Sequence, residues 1–444
     1  MLKAFQISRR SFLKHCTAIA GATGLPLWFV QRELEADEPV KATERPRIGL
    51  IGCGGMGQGD AENATRFGDI VAVCDVDQSH VESAAKRFTK DGKSPAAYAD
   101  FRKLLADKNV QAVINATPDH WHTLINIAAA NAKKDLYAEK PLTLTIDEGR
   151  HVIKAVRDNK IVFQNGTQQR SSIRFRLVCE LVRNGRIGTL KEVQVVVPAG
   201  FRAGPFKGVP VPKEFNYDFW LGQAPQAEYV PERCHQKFRW WYDYAGGPVT
   251  DWGAHHNDIA RWGIGQDGPL NIEAKVVTPP IPGGYTTPSE FEATLTWANG
   301  IRQTVKTTRD EEYTGQVINK AGQRNGVKFI GTDGWMWVNR DEHTASDKQL
   351  LRTPLPDNAV RLEVSNDHMG NFIDCIRSRK DPVANVETAH RSASIGHLII
   401  IALRTGLKLQ WDPAKEIFTG EGAAETNKHL AREMRKPYDY SFVG

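Results

Sequence analysis

Residues 47–57 constrain this chain more than any other stretch: Arg-Ile-Gly-Leu-Ile runs straight into Gly52-Cys53-Gly54-Gly55-Met56-Gly57. A buried-type strand that meets glycines spaced G-x-G-x-x-G has few structural solutions. Gly52 permits the tight turn, Gly54 lets backbone approach a pyrophosphate, and Gly57 allows close helix–strand packing. Gly55 and Met56 complete the same turn. A helix is expected over 58–67, its N-terminus offering free N–H groups and partial positive charge to phosphate. A second apolar strand, 70–74, ends at Asp75. That carboxylate can accept hydrogen bonds from both ribose hydroxyls and would repel a 2′-phosphate, which favours NAD over NADP. A Gly-rich turn in some other α/β domain is the alternative, and the ordered strand–glycine–helix–strand–acid succession argues against it.

The alternation continues with helices expected over 81–88, 101–105 and 120–132, and strands over 110–115 and 136–138. It predicts an α/β Rossmann domain over 47–166, a doubly wound parallel sheet with ligand at the strands' carboxyl ends. From 167 to 444 helices become fewer. Strands are expected over 192–197, 290–297, 301–307, 326–330 and 334–338, and helices over 371–377 and 387–404. That pattern predicts an α+β domain with a large open, mainly antiparallel sheet, serving substrate binding and dimerisation. The Pro- and Gly-rich stretch 198–212 reads as a long loop of the kind that sets substrate choice.

The formal charge is +6, and residues 1–36 carry a net three of those positive charges. With no basic stripe or RNA-reading motif, nucleic acid is not the expected partner. The six cysteines are scattered, without CxxC or zinc-ligand spacing, so isolated buried thiols are expected rather than a disulfide framework. Ser8-Arg9-Arg10-Ser11-Phe12-Leu13-Lys14 resembles a twin-arginine export signal, and an apolar stretch too short for a permanent anchor follows to Val30. The resemblance implies a leader over 1–36, a linker over 37–46, engagement of the twin-arginine translocase, and a folded, cofactor-loaded protein delivered to the periplasm. Free nicotinamide cofactor is scarce there, so tight cofactor retention is expected.

Two later motifs sharpen the reading. Glu139-Lys140-Pro141 follows the strand 136–138, and Gly246-Gly-Pro-Val-Thr-Asp251-Trp-Gly-Ala-His255-His256-Asn-Asp258 lies in the second half. With the glycine turn, they resemble the glucose–fructose oxidoreductase, inositol dehydrogenase and rhizopine-catabolism (Gfo/Idh/MocA) family. The resemblance implies an NAD-dependent oxidoreductase acting on CH–OH groups of a sugar or polyol, assembled as a dimer or tetramer. It places Lys140 beside the nicotinamide and the reacting carbon, Asp251 orienting His255, and His255 as the base. A cation at the sheet's carboxyl edge can stabilise developing alkoxide, and an imidazole can take a hydroxyl proton. The plain alternatives are a surface lysine before a turn proline, and a capping aspartate with a packed histidine. Thr117, Pro118, His120, His122, Glu139 and Gln168 are expected on the cofactor. Arg170, Trp240, Trp241 and His255 are expected on the substrate, aromatic faces suiting sugar C–H surfaces. No metal is expected, since the 255–258 spacing is not H-E-x-x-H. Two rival functions stand beside this one: redox-neutral, NAD-dependent cleavage of glycosides, and a non-catalytic sugar-binding protein.

Overall fold

The computed structural model describes residues 9–36, 45–308 and 325–444. Six strands form the first sheet: β1 (Arg47–Ile51), β2 (Asp69–Cys74), β3 (Ala96–Tyr98), β4 (Ala112–Asn115), β5 (Asp135–Ala138) and β6 (Phe163–Asn165). Their order is β3-β2-β1-β4-β5-β6, all parallel, as the alternating pattern predicts. The order reverses between β1 and β4, so Gly52 and the Ala116–Pro118 loop face each other at the switch point where open α/β sheets bind ligand. The first helix begins at Gly55, three residues before the expected start, because the last glycines of the turn are already helical.

The second sheet comprises β7 (Leu190–Pro198), β8 (Asn271–Thr278), β9 (Glu290–Thr296), β10 (Arg302–Thr308), β11 (Gly326–Gly331), β12 (Trp335–Val338), β13 (His343–Ala345), β14 (Leu409–Asp412) and β15 (Ile417–Thr419). Its order is β13-β12-β11-β7-β10-β9-β8-β14-β15, antiparallel except where β7 meets β10. Sequence patterning located five of these strands. It missed β8, whose burial pattern eBeieeei leaves nearly every side chain open and erases the alternation, and the short β13–β15. Helix Trp252–Ile264 lies against β7 and between helices Ile173–Arg183 and Val386–Thr405, buried from Gly253 to Ala260.

The boundary at 166 marks the end of the first sheet, not of its core. Met369, Phe372 and Ile373 return from the C-terminal part to pack with Ile48, Leu50 and Val73. Phe442 and Tyr438 close on Trp121 and Phe219. These contacts bury apolar surface of the C-terminal part against the Rossmann core.

The residues of the expected leader are packed as well. They form helices Arg9–Thr23 and Leu27–Ala36 seated on the second domain. Cys16, Leu25, Phe29 and Val30 join that domain's core. Arg32 makes a two-pronged ion pair with the fully buried Glu180, at 3.0 and 2.9 Å, and Arg176 lies over the Phe29 ring. Most of the expected linker lies outside the described residues. No helix among the described residues is long and apolar enough to cross a membrane. A chain begun at residue 37 is expected to lose about 2–3 kcal/mol in urea unfolding, since Phe29 alone is worth that order when buried. Unchanged stability would mean that the leader helices contribute nothing to the fold.

Candidate active site

At the switch point each glycine has a separate reason. Gly52 has φ +88°, and a Cβ there would lie 2.6 Å from the Ala116 carbonyl. A Cβ at Gly57 would lie 1.9 Å from the Gly52 oxygen, so only glycine lets the helix approach. At Gly54 a Cβ would meet nothing within 4 Å, which leaves backbone facing open space on the phosphate side. Asp75 accepts hydrogen bonds from Cys53 N at 2.7 Å and Asp77 N at 3.0 Å, which aims its carboxylate at the head of the glycine turn. Gly52, Gly54, Met56, Asp75, Thr117 and Pro118 line a cavity of about 630 Å³. The turn, the helix N-terminus, the acid and the cavity fit a dinucleotide, with Asp75 placed for ribose hydroxyls.

A smaller cavity adjoins it, sharing Met56, Thr117, Phe238 and Arg239, and is lined by Lys140 and Asp251. Lys140 follows β5 and reaches Asp251, the residue before helix Trp252–Ile264. Its Nζ donates to Asp251 Oδ1 at 2.9 Å and to the Asp251 carbonyl at 3.2 Å. Arg239 approaches the same carboxylate at 3.3 Å. Burial pushes the Asp251 carboxyl up, but Lys140 and Arg239 outweigh it and hold the group below its ordinary value.

His255 lies one turn further along the helix, 6 % exposed. Its Nδ1 has no hydrogen-bond partner among the described residues. Burial, then the charges of Lys140 and Arg340, depress its pKa well below the ordinary value, so the ring is neutral. No hydrogen bond from a His255 ring N–H to the Asp251 carboxylate is found among the described contacts, so the expected orientation of His255 by Asp251 is not seen. Asp251 is turned to the two cations instead, and it acts on Lys140 rather than on the imidazole. His255 is not among the residues lining the two cavities.

Several expected ligand contacts are structural instead. Arg170 is buried, donating to both oxygens of Asp258 at 2.7–3.0 Å, with Ser392 Oγ on the same carboxylate at 2.6 Å. Its Nε and Nη2 are taken up by a buried carboxylate one turn beyond His255, which needs a counter-ion. His120 is fully buried against Tyr244 and the Trp220 carbonyl. His122 bridges the Pro141 and Thr117 carbonyls at 2.6 and 2.8 Å, which holds the cofactor loop to the turn after Lys140. Gln168 faces solvent. Its neighbour Gln169 is the buried one, with its amide placed to donate to the His255 carbonyl at 3.2 Å and accept from Arg340 Nε at 3.1 Å. Trp241 packs in the core against Phe206 and Tyr285, whereas Trp240 is half-buried beside Phe201.

Sequence reasoning missed Arg239, Arg340, Asp119 and Gln169. Arg239 was hidden in an aromatic run, and Arg340 lies just after β12, where no motif marks it. Asp119 and Glu139 are buried, which raises each carboxyl to about 7 against the lowering influence of Lys140. Glu139 is packed under Gly166 rather than facing the large cavity, and its Oε2 takes the Lys140 N–H at 3.3 Å.

Comparison with known proteins bears on this arrangement. Residues 46–167 match the model of an oxidoreductase family's NAD-binding Rossmann fold, and residues 180–440 that of the same family's C-terminal alpha/beta domain. The chain belongs to the Gfo/Idh/MocA oxidoreductase family. It is thus an oxidoreductase with an NAD-binding first domain. Among its Gfo/Idh/MocA relatives is scyllo-inositol 2-dehydrogenase (NAD(+)) of Bacillus subtilis (strain 168), 24 % identical over 84 % of this chain and 98 % of the relative. Glycosyl hydrolase family 109 protein 2 of Shewanella sp. (strain ANA-3) is 29 % identical over 41 % of this chain and 44 % of its own length. Levoglucosan dehydrogenase solved with NADH and levoglucosan shares the fold, with a TM-score of 0.60 at 20 % identity over 83 % of this chain and 99 % of that one.

Proposed function

We propose that this Gfo/Idh/MocA chain is an exported enzyme that oxidises a hydroxyl-bearing carbon of a sugar or polyol while holding its NAD tightly. The observation that carries this reading is the meeting of Lys140, from the Rossmann sheet, with Asp251, from the second domain, beside the dinucleotide cavity. When bound, NAD supplies the hydride acceptor. The chain's residues supply the rest. Lys140 Nζ donates to the substrate oxygen and stabilises its developing negative charge. Asp251, whose carboxylate also pairs with Arg239, holds that ammonium in place, and the neutral ring of His255, carried over from the family pattern, takes the hydroxyl proton. The Arg-Arg leader supports export, and the sugar and polyol relatives support the substrate class.

A second reading, redox-neutral glycoside cleavage by transient oxidation, elimination and re-reduction, is favoured by the stretch shared with the glycosyl hydrolase relative. The two separate in one experiment. Purified protein is assayed on polyols, free sugars and aryl glycosides while bound nicotinamide is followed by absorbance and mass spectrometry. Net oxidation that stops at one turnover unless a second substrate restores the cofactor is expected. Sugar release with no net absorbance change selects the second reading, and absence of copurifying NAD removes tight retention.

The base is tested by pH. An imidazole whose pKa is depressed is unprotonated both at and below the ordinary histidine value of about 6.5, so activity needing it is lost only at lower pH. The acid limb of kcat/KM is expected well below pH 6.5. An acid limb close to 7 would transfer the role to Asp119 or Glu139, whose carboxyls titrate there.

A further inference from the structure

The rim of the large cavity carries a second group of side chains that the hydride chemistry does not use. Asp77, His80 and His235 offer one ligand atom each, and these three atoms lie within 4.8 Å of one another. Asp77 caps the helix Gln78–Arg87: its Oδ1 accepts from Ser79 N at 2.9 Å, while Oδ2 faces His235 Nε2 at 3.6 Å. His80 stands one turn into that helix, and its ring lies 4.8 Å from the His235 ring. His235 comes from the other side of the cleft, on the short 3₁₀ helix His235–Trp240 of the second domain. Its backbone has φ +52°, a left-handed conformation that non-glycine residues seldom adopt without compensation. Asp75, His80 and His235 all line the dinucleotide cavity.

Two imidazoles and two carboxylates from two parts of the chain crowd one place at the cavity mouth: His80 Nδ1 lies 3.4 Å from Asp75 Oδ2, and His235 Nε2 faces Asp77. The His235 ring is backed by Phe215, with ring centroids 5.5 Å apart, and faces His80 at 4.8 Å. Two nitrogens and one carboxylate oxygen form the donor set of a borderline transition-metal ion such as zinc, with a fourth position left for water. Tetrahedral zinc bonds of about 2.0–2.1 Å place ligand atoms about 3.3 Å apart. The exposed His235 side chain can cover the remaining distance by rotation.

We propose that Asp77, His80 and His235 form a zinc-class metal site that clasps the 231–241 segment to the Rossmann domain across the adenosine end of the cofactor cleft. A metal there joins the two walls between which the dinucleotide must leave. The site therefore ties metal binding to cofactor retention. Only the retention half rests on the NAD assignment of the cleft; metal binding stands without it.

The test uses the untagged full chain, stripped with chelator and checked for unchanged circular dichroism. Zinc affinity is measured by competition with a chromophoric indicator, stoichiometry by elemental mass spectrometry, and NAD release by stopped-flow fluorescence of NADH, with and without zinc. The native sequence is expected to hold one zinc, and His80→Asn and His235→Asn are each expected to weaken it more than about 100-fold. Zinc is expected to slow NADH release about tenfold or more in the native chain and not in His235→Asn. Equal zinc retention by the native chain and both folded variants overturns the site, and so does no retention. Zinc bound through these residues with NADH release unaltered overturns the clasp. One zinc lost in both variants from a chain that binds no NADH supports the metal site and places the failure in the cofactor reading.

Discussion

Lys140→Ala is expected to lower kcat/KM by about 10²–10³-fold, the usual consequence of removing one preorganised donor from a developing oxyanion. The protein is expected to remain folded. Lys140 is a side chain at a cavity wall, and its loss leaves Asp251 still paired with Arg239 at 3.3 Å. His255→Ala is expected to cost a comparable or larger factor, about 10²–10⁴, as a general base does. The double variant should fall little below the worse single one, because donor and base act on one hydroxyl at one moment. Steady-state kinetics on the substrate identified by copurification would decide it. Near-native turnover by Lys140→Ala, with NAD still bound, would remove the lysine from the chemistry.

The second large effect is on stability. Arg170→Ala is expected to destabilise the fold by about 3–5 kcal/mol, the range for stranding one partner of a buried ion pair. Asp258 would be left at 1 % side-chain exposure with the Ser392 hydroxyl as its remaining hydrogen-bond donor among the described residues, and the Trp262 ring would lose the guanidinium 5.0 Å from its centre. Urea titration measures the loss directly. The competing outcome is a raised KM with unchanged stability, which would return Arg170 to the substrate site. Asp258→Asn with Arg170→Met, which removes both charges, should recover part of the loss, since burying neither ion avoids the desolvation penalty.

The two variants mark different kinds of legibility. The place of Lys140 was readable because it is a fixed address: a cation at the carboxyl edge of a parallel sheet, announced by a strand and a following proline. Arg170 was misread because its position after β6 looks like another such address, and nothing local reveals the carboxylate that meets it 88 residues later. Asp251 was half-read. Its place before a helix with His255 at i+4 was correct, but helical spacing says only which face two residues share. It does not say which charge from another element reaches that face first.

The amino-acid sequence by itself determined the nucleotide-binding half. The glycines, the apolar strands and Asp75 act through local backbone geometry, and local geometry is written in consecutive residues. Tertiary structure alone decided that Asp251 pairs with Lys140 and Arg239, that Gln169 lies against the His255 carbonyl and Arg340, and that the leader's Phe29 and Arg32 meet the second domain. Most of those outcomes depend on which charges and rings meet across dozens to more than a hundred residues. Coulombic and burial energies depend on distance in space, and distance along the chain does not record it.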